Sequence, residues 1–133
     1  QSKGIRKVPQ NPEDVLRFAK SRTPINHMSA MFKKTDILNV GGYSRALRKI
    51  QDYALWIKHL NQGKKIANLP EVLLKVRAGK SMIERRSGYK YFQYEYMVFR
   101  LMYKIGFISK IQFWKNISIR FLIRIMPKTI ISK

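Results

Sequence analysis

Gly41 and Gly42 stand back to back before Tyr43, and this pair with the stretch after it constrains the fold more than any other part of the chain. Neither glycine carries a Cβ to forbid positive φ, so a sharp reversal is available there. Beyond it, Gln51-Asp52-Tyr53-Ala54-Leu55-Trp56 opens a helix. Tyr53, Trp56, Ile57 and Leu60 recur at i, i+3, i+4 and i+7 and form one apolar face, while Lys58, Asn61 and Gln62 point elsewhere. Gly63 is a natural stop. Asp52 therefore sits at a helix N-terminus, beyond a flexible bend, on an element anchored by a Trp. Two readings are open: a carboxylate that caps the helix, or a general base held rigidly at the rim of a pocket.

A chain of 133 residues gives at most one domain, and 45% hydrophobic residues exclude a disordered tail. Its 28 Lys+Arg against 7 Asp+Glu give a formal net charge of +21. Such a surface seeks polyanions: nucleic acid, anionic lipid headgroups or phosphorylated small molecules. The absence of cysteine excludes a disulfide framework and thiolate-ligated zinc. No signal-peptide pattern and no apolar run of about 18 residues is present, so no spanning helix is expected. The chain opens on Gln1 and not on Met, which suggests part of a longer protein.

Asn11-Pro12-Glu13-Asp14 carries the signals of a helix start: Asn as N-cap, Pro at the first helical position, acids facing the positive end of the dipole. This helix should end near Ser21. Residues 28–32 read as a short buried strand, and residues 35–38 as one helical turn. Residues 64–68 and 71–77 read as two further short strands kept apart by Pro70. Residues 78–88 form a basic loop, expected to be mobile. Tyr89, Phe92, Tyr96, Phe99 and Tyr103 then repeat at helical spacing up to Gly106. The organisation is thus residues 1–77, a loop at 78–88, and helices over 89–133.

Residues 109–126 carry a second pattern. Gln112, Asn116, Arg120 and Arg124 recur every fourth residue as a narrow polar stripe, and the rest of the circumference is apolar, with Ile111, Trp114, Ile117, Ile119, Phe121 and Leu122. One reading is a helix in an anionic membrane interface, because no acid follows Glu95. The other is a helix packed into this protein's own core or against a missing domain.

Local chemistry is sparse. Gly79-Lys80-Ser81 lacks the upstream glycine of a P-loop, and no pair of acids has metal-site spacing. His59 reads as a surface residue beside Lys58. His27, at a strand start, is either a site residue or a structural one. Arg85-Arg86 beside Gly88 is a solvated charge run or a bidentate clamp for a diphosphate.

Taken together, Arg22 to Lys34, Val40-Gly41-Gly42-Tyr43, Gln51 to Trp56, Asn68-Leu69-Pro70-Glu71-Val72-Leu73-Leu74 and Arg85-Arg86-Ser87-Gly88 resemble the second half of family 2 glycosyltransferases. The likeness is closest to the bacterial branch that builds capsular, exopolysaccharide and lipopolysaccharide chains, amylovoran-type transferases among them. It covers about residues 5–110.

The resemblance implies an α/β fold, the C-terminal part of a GT-A fold with a few short strands and a helical, basic extension. It implies inverting displacement at the anomeric carbon of a nucleotide-diphosphate sugar. Asp52 would be the base that deprotonates the acceptor hydroxyl, with Gln51 where many relatives carry Glu. Asn26, His27, Gly41, Gly42, Gln51 and Trp56 would form the acceptor side, and Arg85 and Arg86 would close over the diphosphate. The acceptor would be a lipid-linked saccharide. The protein would lie peripherally on the cytoplasmic face of the membrane through residues 109–133, with no nucleic-acid partner. The family's divalent metal, Mn or Mg, is held by an Asp-x-Asp motif that occurs nowhere in this chain. The residues given are therefore expected to be inactive alone. Two rivals stand beside this reading: a basic nucleic-acid-binding module, suited by the charge and interleaved aromatics, and a non-catalytic membrane-surface adaptor.

Overall fold

The Asn-Pro-Glu-Asp run does start a helix, α1 (Pro12–Ala19), although the Asn11 side chain makes no capping bond. The computed structural model describes residues 4–76 and 86–125. Helices α2 (Lys34–Asn39), α3 (Gln51–Asn61), α4 (Tyr89–Lys104) and α5 (Lys110–Ile125) follow, with single 3-10 turns at His27–Ser29 and Arg45–Leu47.

Sequence signals place most of these ends. Gly41 and Gly42 both adopt positive φ, at 82° and 63°. They close α2 in a Schellman turn, with Gly42 N donating to the Ile37 carbonyl and Gly41 N to that of Leu38. A Cβ on either glycine would meet open space, so it is the left-handed backbone that calls for glycine there. The same turn closes α4, where Phe107 N donates to the Met102 carbonyl at 2.8 Å. Helix α5 begins with a capping box that the sequence reading overlooked. Gln112 N donates to Ser109 Oγ, and Ser109 N donates back to Gln112 Oε1.

Helix α3 is the hub. Tyr53, Ala54, Ile57 and Leu60 pack with Leu47, Ile50, Val98, Phe99, Met102, Phe113 and Ile117 in the main core. Its other side gives Leu55 and Trp56 to a smaller cluster with Ile37 and Val40. One apolar face was expected, but the helix is buried nearly all round. His59 is accordingly no surface residue: it is 8% exposed, and Nδ1 has no hydrogen-bond partner among the described residues. Burial lowers its pKa below the usual histidine value. Tyr53 ties α3 to α1 by donating from its hydroxyl to the Ala19 carbonyl at 2.7 Å. Burial pushes that hydroxyl's pKa strongly upward.

The expected short strands are corrected. Residues 28–32 form a 3-10 turn and an extended run with Met31 fully exposed, and residues 64–68 and 71–76 contain no strand. A strand is defined by a paired neighbour, and among the described residues these runs have none. The nearest approach is one backbone bond, Asn68 N to the Gln10 carbonyl at 3.1 Å. Asn68 Nδ2 adds bonds to the carbonyls of Pro9 and Pro24, at 2.6 and 3.1 Å. This carboxamide therefore joins three chain segments. Arg77, the loop through Arg85, and the Gly79-Lys80-Ser81 run lie outside the described residues.

The polar stripe of α5 faces inward. Asn116 Nδ2 donates to the Lys20 carbonyl and Arg120 Nη2 to that of Ser21. Arg124 grips Glu95 bidentately at 2.8 and 2.9 Å and lies over the Tyr91 ring at 4.7 Å. Phe113 and Ile117 enter the core beside the stripe. One side of this helix thus packs inside the protein, and a broad apolar side stays exposed.

Candidate functional site

Asp52 is the second residue of α3, half-buried, at the end where backbone dipoles favour negative charge. Its carboxylate is not spent on capping, for Ile50 holds the N-cap position and no side-chain cap bond forms. No described residue hydrogen-bonds or ion-pairs with it. The capping alternative left open by the sequence therefore does not describe this structure.

The chain brings several expected site residues together around this helix start. His27 packs edge-on against Tyr43 at 5.6 Å and against Trp56 at 6.0 Å, and Phe32 meets the far side of Trp56 at 5.7 Å. His27 remains exposed, whereas Trp56 is 2% exposed and its indole Nε1 has no hydrogen-bond partner among the described residues. Trp56, expected on the acceptor side, is thus buried against His27. Gln51 is half-buried at the first position of α3. Gly41 and Gly42 shape the bend that carries Tyr43 over His27.

Arg6 is the residue that sequence reasoning missed. It lies in a polar N-terminal arm without periodicity, so no local signal marked it. Its guanidinium donates to Asn26 Oδ1, and at 2.8 Å to the Thr23 carbonyl. Its pKa is lowered first by burial, then by the positive charges of Arg22 and Arg86, with Asp52 opposing. Arg6 thus feels two other guanidinium groups and the Asp52 carboxylate. Tyr43 and Tyr91 feel this carboxylate as well: burial raises both hydroxyl pKa values, and the negative charge of Asp52 adds to each rise. Of the two arginines expected at a diphosphate, Arg86 acts electrostatically on Arg6 and Tyr91, as Asp52 does, and Arg85 lies outside the described residues.

Among the described residues no three His, Asp or Glu side chains could hold a metal ion together. Among these residues the divalent metal implied by the resemblance finds no such ligand set. A shallow apolar cavity of about 550 Å³ opens along α4, lined by Tyr89, Phe92, Gln93, Tyr96 and Met97. None of the expected site residues lines it. What the Asp52 region offers is a carboxylate on a rigid helix, with the Arg6 guanidinium in its electrostatic reach as a cation that can attract a phosphorylated ligand.

Comparison with known proteins finds bacterial glycosyltransferases. The chain is 34% identical, over 96% of its length, to an uncharacterized glycosyltransferase of Haemophilus influenzae. It is 35% identical over 92% to the amylovoran biosynthesis glycosyltransferase AmsE of Erwinia amylovora. It is 37% identical, again over 92%, to the UDP-Gal:alpha-D-GlcNAc-diphosphoundecaprenol beta-1,3-galactosyltransferase of Escherichia coli. It covers 47%, 46% and 44% of these proteins, so it spans about half the length of the curated relatives it matches. No family model and no solved structure matches the chain.

Proposed function

We propose, for a chain that matches a C-terminal fragment of a bacterial glycosyltransferase, that it supplies the acceptor side of an inverting sugar-transfer site of GT-A type. In this reading Asp52 takes the proton of an acceptor hydroxyl. The acceptor oxygen forms its bond to the anomeric carbon of a nucleotide-diphosphate sugar. The bond from that carbon to the diphosphate breaks, and the nucleoside diphosphate leaves with the electron pair.

The observation that carries this reading is the Asp52 carboxylate, unpaired among the described residues, at the start of a helix whose other faces are locked into two cores. A general base gains from such rigidity, because small displacements from attack geometry are costly in rate. His27 and Asn26 would face the acceptor. Arg6, Arg22 and Arg86 would hold the phosphate charge nearby and favour departure of the diphosphate. Relatives named for amylovoran biosynthesis and for a diphosphoundecaprenol acceptor support a lipid-linked saccharide as the acceptor. In this reading the setting is surface polysaccharide assembly at the cytoplasmic face of the membrane.

Asp52→Asn in the complete enzyme tests the assignment. Loss of a general base costs roughly 10²–10⁴-fold in turnover, so transfer should fall by that order while nucleotide-sugar affinity stays unchanged. Turnover retained at the wild-type level rejects Asp52 as the base.

A further inference from the structure

The polar stripe that gives α5 its amphipathic pattern is consumed inside the protein. The helix consequently presents its apolar side outward: Ile111 is 81% exposed, Leu122 62% and Trp114 57%, with Ile119, Phe121 and Ile123 also exposed. The patch continues past α5. Phe121 meets Phe92 at 5.3 Å, and Phe92 lines the apolar groove on α4 with Tyr96 and Met97. Contiguous apolar surface of this kind marks an interaction site.

We propose that this face, α5 with the adjoining groove of α4, is the surface by which the protein docks on an anionic lipid bilayer. Charge selects the occupant. The whole chain carries a net +21, and no acid occurs after Glu95. Lys110 and Lys115 lie exposed on α5 itself, and Arg100 and Lys104 on α4. A Trp among aliphatic side chains, bordered by lysines, suits the boundary between headgroups and acyl chains. Arg120 and Arg124 take no part, since both are bound inward to the Ser21 carbonyl and to Glu95. No helix among the described residues is long and apolar enough to cross a membrane, and a helix lying along the interface does not need to be.

The test uses the native protein and vesicles of phosphatidylcholine, with and without phosphatidylglycerol. Expected is co-sedimentation with the anionic vesicles, and quenching of Trp114 by lipids brominated on the acyl chain. The Trp114 signal is isolated as the difference from a Trp114→Phe variant. An Ile111→Asp, Leu122→Asp double variant, at two solvent-facing positions, should bind at least about tenfold more weakly with unchanged thermal melting. Three results overturn the proposal: equal partitioning of the double variant, anionic binding without quenching of Trp114, or a Trp114 shielded from both lipid and aqueous quenchers. The last would show that protein, not lipid, covers the face. Asp52→Asn should bind vesicles like the wild type, so failure of the transfer reading leaves this result standing.

Discussion

His59 shows how one residue can escape a periodicity argument. Its neighbours Lys58 and Asn61 are polar, yet α3 is packed on two sides and His59 falls into the second. Burial is the first cause of its lowered pKa, with the charge of Asp36 opposing and that of Lys64 reinforcing. Because the folded value lies below the unfolded one near 6.5, the unfolded state binds the proton first as pH falls. Stability should therefore be full above about pH 6.5 and decline below it, through the window down to the folded pKa. Denaturant melts at several pH values should show this decline, and His59→Gln should flatten it. The sequence singles out Asp52, Asn26 and His27 as candidates because each sits at the start of an element or in a motif. Arg6, Tyr43 and Tyr91 reach the same neighbourhood through tertiary contacts that no spacing encodes.

Helix boundaries were the most legible feature, since glycine at positive φ fixes them locally. Gly41, Gly63 and Gly106 each end a helix as their positions imply. The direction in which α5 faces was not legible. A stripe of Gln, Asn and Arg looks like a solvent face, and only the carbonyls of Lys20 and Ser21 and the carboxylate of Glu95 reveal it as an internal one. Glu95 is buried against Arg124, with Arg120 Nη1 at 3.6 Å. Its hydrogen bonds hold the Arg124 guanidinium above its usual pKa. Removing one partner of a buried pair strands the other, at a cost of about 3–5 kcal/mol. Glu95→Ala should lower stability by that order in chemical denaturation and detach α5 from α4 first. Glu95→Gln, which keeps shape but not charge, should recover only part of the loss.

Across the whole molecule, net charge works against compactness. With +21 spread over one small fold, self-repulsion opposes folding at low ionic strength. Salt screens this repulsion far more than it weakens the partly buried Glu95–Arg124 pair. The melting temperature should consequently rise between low and physiological salt. A fall would mean that attractive surface pairs outweigh the repulsion. The strands expected from alternation in residues 64–68 and 71–77 failed for a reason at this same scale. Alternation says that a segment could lie in a sheet, but a sheet needs a neighbour, and among the described residues none is offered.

The Asn68 carboxamide bears on this missing neighbour. With no sheet to lie in, the arm that carries Arg6 is moored at Pro9 and Gln10 by Asn68, which also grasps Pro24, while Arg6 itself clasps Thr23 and Asn26 on either side of that proline. The arm and the turn are thus stitched together twice, once by an amide and once by a guanidinium. The aim of a positive charge beside Asp52 is set by that double stitch.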